Sequence, residues 1–132
     1  MPYNTRKRKL KRIQETREAA IAAVEPRFQE ILRRPFTGRT DAELNAWEYQ
    51  VAQELTGAAD IELDESWQYS RPRPRAFCPL CGSGAELSGR GTMGWMVPDS
   101  LVRHLLHGSR RRRCDVLQTI SQTLFAEFVS DL

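Results

Sequence analysis

Three cysteines and two histidines are the residues of this sequence whose types and spacing indicate a metal site, and all lie between positions 78 and 114. Cys78 and Cys81 form a close pair within Phe77-Cys78-Pro79-Leu80-Cys81-Gly82. Two thiolates at this spacing can bind one tetrahedral ion if the backbone between them turns tightly, and the following glycine lets the chain leave that turn. An odd cysteine count with a close pair favours metal binding over a disulfide framework.

The sequence after the cysteine pair supplies three candidates for the remaining ligands. His104 and His107 are three residues apart in a predicted helix, so both project from neighbouring parts of one surface, and Cys114 follows. We expect the ligands to be Cys78, Cys81, His104 and Cys114. A rival set has His107 in place of Cys114, although its two histidines are unusually close for a two-cysteine, two-histidine finger. We favour Cys114 because a free buried thiol beside a metal ion would compete for it.

The Cys-Pro-x-Cys-Gly run resembles the zinc knuckle of many zinc-finger and zinc-ribbon proteins. This resemblance implies a structural Zn²⁺ ion and a small unit of hairpin and helices clamped by the metal. The spacings of both candidate ligand sets differ from those of the common zinc finger, so no specific family is indicated. A unit as small as residues 76–132 also needs a stabilising metal ion, because the apolar area that it can bury leaves it only marginally stable.

Two helical segments precede this unit. Apolar residues recur at three- and four-residue steps over positions 5–34, where Pro26 predicts either a kink or an end near Val24 and a restart. A turn over 34–39 leads to a second helix, which Thr40-Asp41-Ala42-Glu43 caps in the form of a capping box and Gly57 ends. We therefore predict a helical hairpin with a basic N-terminus over residues 1–57 and an acidic, then Arg/Pro-rich, linker over 58–75.

Residues 76–132 are predicted to form the zinc-finger domain. A glycine-rich stretch after Cys81 suits an irregular hairpin, Trp95-Met96-Val97 a strand, and Pro98-Asp99-Ser100 the start of a short helix. A last helix is predicted over 115–132. The expected fold class is thus mainly α with a small zinc-bound β-hairpin.

The charges are segregated along the chain. The net charge is only +3, while eight carboxylates and no Lys or Arg lie between residues 40 and 70. Such segregation creates a local positive potential, and phosphates are its commonest partner. Three clusters supply the cations: Arg6, Lys7, Arg8, Lys9, Lys11 and Arg12; Arg71, Arg73 and Arg75; and Arg110, Arg111, Arg112 and Arg113.

These features favour a zinc-stabilised protein that binds DNA or RNA, and that could serve as a subunit of a larger nucleoprotein complex. The metal would hold the four-arginine stretch beside phosphates or base edges, and Trp67, Tyr69 or Trp95 could stack on unpaired bases. A catalytic zinc needs an open position and a general base, and neither is visible. We therefore expect no enzymatic activity and no small-molecule substrate.

Two other functions remain open at this point. A protein-binding adaptor or inhibitor encoded by a phage or mobile element would use the apolar stripes and the acidic second helix. A metal-finger nuclease is favoured less, because it would need His107 as a base and a second ion near Asp99 or Asp115. No signal peptide or membrane span is expected, so we predict a cytoplasmic protein.

Overall fold

A computed structural model describes residues 2–65, 72–87, 89, 91–107 and 113–130 of the chain. The described part is mainly helical and has two small antiparallel sheets. Its elements in chain order are α1 (Pro2–Ala22), α2 (Pro26–Leu32), α3 (Asp41–Ala58), β1 (Glu62–Asp64), β2 (Arg73–Ala76), β3 (Ala85–Leu87), β4 (Gly91–Met93), β5 (Trp95–Met96), α4 (Asp99–Leu106) and α5 (Asp115–Ser130).

The break between α1 and α2 occurs where Pro26 predicts it. Helix α1 ends at Ala22, and α2 begins with Pro26 at its first position, where the missing N–H would have no helical partner anyway. The second of the two sequence-based alternatives, an end and a restart, is therefore the one that the chain adopts. Phe28 and Leu32, one turn apart on α2, are buried.

Helix α3 begins with the predicted cap. The Thr40 hydroxyl accepts a hydrogen bond from the Glu43 N–H at 3.1 Å, and the Glu43 carboxylate accepts one from the Arg39 N–H at 3.3 Å. The first bond satisfies one of the N–H groups that a helix start leaves unpaired, and the second connects the residue before the cap to the first turn. The indole N–H of Trp47 donates to the Arg34 carbonyl at 2.9 Å, which fixes the turn between α2 and α3.

Helix α1 packs mainly on α5, whereas α2 packs on α3. The Arg17 guanidinium contacts the Glu127 carboxylate at 2.7 Å, and Arg6 donates to the Ser130 carbonyl at the end of α5 at 2.5 Å. Helical periodicity shows which face of a helix is apolar but not which partner covers it. The buried side chains of both predicted units form one hydrophobic cluster; independent folding of residues 1–57 and 76–132 stays a prediction.

The predicted linker contributes β1 and most of β2 to a sheet of three strands in the order β1-β2-β5, whose third strand comes from the predicted zinc-finger domain. Arg75 on β2 donates to the Asp64 carboxylate at 2.9 Å and to the Gly94 carbonyl at 3.0 Å, and the side chains of Arg75 and Asp64 are both buried. This pair connects β1 and β2 to the segment before β5. A second sheet is the hairpin β3-β4, with Ala85 opposite Met93, in the glycine-rich stretch where a hairpin is predicted.

A search of the described residues for a helix with the length and apolar character needed to cross a bilayer finds none.

Candidate metal centre

The structure brings together the four residues expected as ligands. Cys78 and Cys81 lie in the turn that follows β2, His104 lies on α4, and Cys114 immediately precedes α5. One ligand atom from each residue lies within 4.8 Å of all the others, in a group that could hold a metal ion. Because three separate segments meet here, an ion at this point would cross-link the sheet to both C-terminal helices.

The turn that carries the cysteine pair is held by its own backbone. The Cys78 N–H donates to the Ser83 carbonyl, and the Gly82 N–H donates to the Cys78 carbonyl, both at 2.9 Å. Gly82 has a φ of 73°, a backbone conformation that glycine adopts without steric cost. The glycine that follows the second cysteine thus lets the chain leave the turn without strain, with Cys78 buried and Cys81 exposed.

The other two ligands are positioned by contacts of their own. The Cys114 N–H donates to the His104 carbonyl at 2.9 Å. This bond brings the two ligands together although nine residues separate them in the sequence. The ring of Trp95 stacks on the imidazole of His104 with a centroid distance of 4.7 Å and an interplanar angle of 17°. Trp95 is therefore a packing partner of a ligand, not the exposed base-stacking platform considered from sequence.

Two distances lie close to the edges of a tetrahedral site, and the one between sulfur and nitrogen is about 0.3 Å shorter than such an edge. The sulfur atoms of Cys78 and Cys114 are 3.8 Å apart, and the Cys81 sulfur is 3.3 Å from His104 Nε2. With bonds of about 2.3 Å to sulfur and about 2.0 Å to nitrogen, neighbouring ligand atoms of a tetrahedral ion are separated by about 3.6–3.8 Å. The four residues thus fit one four-coordinate ion with three sulfur ligands and one nitrogen ligand.

The ligand groups perturb one another's acidity. Hydrogen bonds from Cys114 and Cys78 hold the pKa of Cys81 far below its usual range. The bond with Cys114 lowers the pKa of Cys78, but the bond with Cys81 and burial outweigh it and raise this pKa to about 11. The pKa of Cys114 is raised by its bonds with Cys78 and Cys81 and by burial. Burial lowers the pKa of His104, yet its bonds with Cys114 and Cys81 raise it to about 9.

Ser83 is a residue of the site that the sequence-based reasoning did not include. Its hydroxyl lies 3.1 Å from the Cys81 sulfur and 3.1 Å from His104 Nε2. A hydroxyl at this place can donate to the Cys81 thiolate and so orient a ligand from outside the coordination shell. The only sequence signal for it was its position two residues after Cys81, just beyond the turn glycine.

An ion pair behind the site was also missed. The Arg113 guanidinium contacts the Glu48 carboxylate of α3 and donates through Nε to the Leu105 carbonyl of α4 at 3.1 Å. Both side chains of the pair are mostly buried. No local signal joins residues that are 65 positions apart, so only the folded chain shows that Arg113 fixes the segment leading to Cys114.

His107 does not belong to the cluster of ligands. It caps the C-terminus of α4, where its N–H donates to the Arg103 carbonyl at 2.8 Å, and its side chain is exposed. The helix ends before His107 can point toward the cysteine pair. The rival ligand set with His107 in place of Cys114 is thus not the one that the fold assembles.

The predicted nucleic-acid-binding cations fall into three situations. All six cations of the first cluster lie on α1 with exposed side chains. Arg73 is also exposed and donates to the Met96 sulfur at 3.8 Å, whereas Arg75 and Arg113 form ion pairs within the fold, and their contact with phosphates stays a prediction. The remaining predicted residues, Arg71, Arg110, Arg111 and Arg112, lie outside the described part of the chain, as do Trp67 and Tyr69.

No family model matches the chain, and searches of curated proteins and of solved structures also find no match.

Proposed function

We propose that this protein is a non-enzymatic, zinc-stabilised nucleic-acid-binding protein, in which the basic first half of α1 is the main phosphate-binding surface. The observation that carries the proposal is the accumulation of six exposed cations on α1 between residues 6 and 12. A partner protein or a larger nucleoprotein complex is compatible with this function, and either DNA or RNA could be the ligand.

Zinc is the ion that this donor set favours. Three thiolates and one imidazole are soft ligands, and tetrahedral sites of this composition are typical of structural zinc. The four side chains complete the coordination shell and leave no open position for a water molecule or a substrate. We therefore assign the ion a structural role, in which Cys78, Cys81, His104 and Cys114 hold it and the ion fixes the sheet against α4 and α5.

Five of the six cations between residues 6 and 12 differ from most of the other described arginines in forming no ion pair with a described residue. Within the described residues, Lys7, Arg8, Lys9, Lys11 and Arg12 form no ion pair. Exposed cations on one helix segment repel one another, and phosphates relieve this repulsion while releasing counterions from the nucleic acid. A surface of this type predicts binding that depends steeply on salt and little on sequence.

The stretch between the last two ligands supports the same function. It contains Arg110, Arg111 and Arg112, and both ends of the stretch are fixed by bonds among described residues, from Cys114 to His104 and from Arg113 to Leu105. Fixed ends lower the conformational entropy that a phosphate-binding segment loses on binding. We propose this stretch as a second contact beside the α1 surface.

The test compares two matched pairs of arginines. Arg8→Gln/Arg12→Gln removes exposed cations that have no carboxylate partner among the described residues, and Arg33→Gln/Arg34→Gln removes two cations that are paired with Glu18 and Glu54. Fluorescence anisotropy with labelled single- and double-stranded DNA and RNA, at several salt concentrations, measures the affinity and its salt slope. For duplex DNA we expect the first variant to lose about 1.8 from the slope of log K against log salt, since each phosphate contact contributes about 0.9.

The control variant is expected to keep nearly the whole slope, because its cations are already neutralised by their partners. Binding that is absent or independent of salt in the unaltered protein would contradict the proposal. Equal losses in the two variants would show that net charge, and not the α1 surface, governs the interaction.

A further inference from the structure

Strand β1 has one side that is not paired within the described part of the chain. In the three-stranded sheet β1 lies at one edge, and β2 separates it from β5. The Pro74 carbonyl accepts a bond from the Val97 N–H at 3.1 Å, so the polar backbone atoms of Pro74 point toward β5. Pro74 lies opposite Leu63, and this pair is therefore a non-hydrogen-bonded one.

The orientation of Leu63 follows from this register. In an antiparallel ladder, hydrogen-bonded and non-hydrogen-bonded pairs alternate, so Glu62 and Asp64 direct their backbone groups toward β2. The N–H and C=O of Leu63 then point away from β2, at the open edge, and have no hydrogen-bond partner among the residues that the structure describes. An exposed pair of this kind is a template for another strand.

A cleft of about 650 Å³ adjoins this edge, between the α1–α2 junction and the cysteine turn. Leu63 and Phe77, which both line it, are 60% and 50% exposed. Its other apolar side chains include Val24, Phe28, Leu80 and Met93. The cleft is large enough to receive an apolar side chain from a strand that pairs with Leu63.

The charges around the cleft select a basic occupant. Asp64 and Arg75 neutralise each other in their buried pair. At the rim Arg27 binds Asp60 and Glu25, and the exposed Glu62 forms no ion pair within the described residues. Among the residues that line the cleft and lie outside the buried pair, three carboxylates against one cation leave an excess negative charge, which attracts Lys or Arg and repels phosphate.

The sequence of the edge disfavours a second copy of the chain as the occupant. Residues 60–65 read Asp60-Ile61-Glu62-Leu63-Asp64-Glu65, with a carboxylate on both sides of Leu63. Two such edges paired at Leu63 would place carboxylates opposite carboxylates, which destabilises cross-strand pairs. Edge carboxylates of this kind protect a strand from pairing with itself while leaving it open to a strand of opposite charge.

We propose that the open edge of β1 and the adjoining cleft bind an extended peptide segment of a partner protein, in which basic and apolar residues alternate. Its backbone pairs with the N–H and C=O of Leu63, one apolar side chain enters the cleft, and the flanking cations lie near Glu62 and the rim carboxylates. Strand addition of this kind takes its affinity from the main chain and its specificity from alternate side chains. The site is separate in residues and in charge from the basic surface of α1.

The test uses a labelled peptide of about ten residues that alternates lysine and valine, with an alternating glutamate–valine peptide as a charge control. Leu63→Pro removes the outward N–H but no bond of the β1–β2 ladder, and Leu63→Ala keeps this N–H while shortening the same side chain. We expect Leu63→Pro to bind the basic peptide about tenfold more weakly than Leu63→Ala. Glu62→Lys is expected to weaken binding several-fold, with a smaller dependence on salt.

Metal content and thermal melting are measured for each variant beside the peptide affinities. If the Leu63→Pro variant has a lower melting temperature than the unaltered protein, its weaker binding does not count as evidence, and the Glu62→Lys variant is used instead. An unchanged affinity of Glu62→Lys for the basic peptide then overturns the proposal. No binding of the basic peptide at concentrations up to about 1 mM, equal binding of the acidic peptide, or equal affinities of the two Leu63 variants would also overturn it. Self-association that Leu63→Pro abolishes would assign the edge to a second copy instead.

Discussion

Cations around the metal centre and cations on the first half of α1 are in opposite environments. Arg75 pairs with Asp64 and Arg113 with Glu48, and all four side chains are buried or mostly buried. Their charges are therefore neutralised within the fold, where they connect strands and helices. On α1, Arg8 and Arg12 are exposed and form no ion pair within the described residues. The comparison teaches that a cluster of arginines in a sequence predicts a binding surface only where no carboxylate of the fold reaches it.

The largest expected effect lies at the metal centre. His104→Ala removes one ligand, and structural zinc sites contribute apparent binding free energies of about 10–16 kcal/mol in finger peptides, which is comparable to the whole stability of a domain. We expect loss of the ion and of the cooperative thermal transition, measured by metal analysis and circular dichroism. Because α1 packs on α5, the loss should extend to α1.

His107→Ala is the matched control for that variant. Its side chain is exposed at the end of α4, so we expect a change in the free energy of unfolding within about 0.5 kcal/mol and full metal content. Metal loss in this variant, or retained metal in His104→Ala, would refute the assigned ligand set.

Acidification should release the ion while leaving the charge of the α1 cations unchanged. Before metal binds, Cys78, Cys114 and His104 carry protons at neutral pH, because the pKa of Cys78 is about 11, that of Cys114 is raised, and that of His104 is about 9. The ion must displace these protons, so its affinity falls as pH falls, by on the order of a hundred- to a thousandfold per pH unit below about pH 9.

Competition with a coloured chelator at several pH values measures this dependence. Proton release on metal addition, followed in weakly buffered solution, gives an independent count of the displaced protons. An affinity that is constant with pH would mean that the ligands are already deprotonated without the ion, in conflict with these pKa directions.

A smaller effect on stability is expected when the ion pairs of α3 are broken, and its size should depend on whether the pair is buried or exposed. Glu48→Gln leaves the mostly buried Arg113 guanidinium without its carboxylate, which we expect to cost about 1–3 kcal/mol of unfolding free energy. Glu54→Gln breaks an exposed pair with Arg34 on the same helix, where a cost of at most about 0.5 kcal/mol is expected. Urea unfolding curves of both variants measure the difference, and equal costs would show that burial does not distinguish the pairs.

The smallest effect on stability is expected for Arg8→Gln/Arg12→Gln. These side chains have no carboxylate partner in the described part of the chain, and removing mutual repulsion should change the free energy of unfolding by less than about 0.5 kcal/mol. The same variant is expected to show the largest loss of nucleic-acid binding. A large destabilisation would instead mean that these cations support the packing of α1 on α5.

The sequence by itself narrowed the ligands of the candidate metal centre to two sets that share Cys78, Cys81 and His104, and it determined much of the local structure around them. Thiol and imidazole side chains are confined to one short segment, and their chemistry indicates a metal site there, whereas the choice of Cys114 over His107 depended on the fold. The Thr40 cap, the restart of the helix at Pro26 and the turn at Gly82 are local as well, because each depends on a backbone requirement that one residue type meets.

Only the tertiary structure decided which surfaces meet and which charges remain available. The sequence indicates that α1 is amphipathic but not that α5 covers it, and three clusters of arginine look alike although Arg75 and Arg113 have buried or mostly buried partners. The open edge of β1 lies in a segment that was predicted to be a linker, because strands of three or four residues are too short to show a recognisable alternation of apolar and polar residues. Contacts between residues distant in the chain depend on the shape of the whole core, and neither spacing nor composition encodes that shape locally.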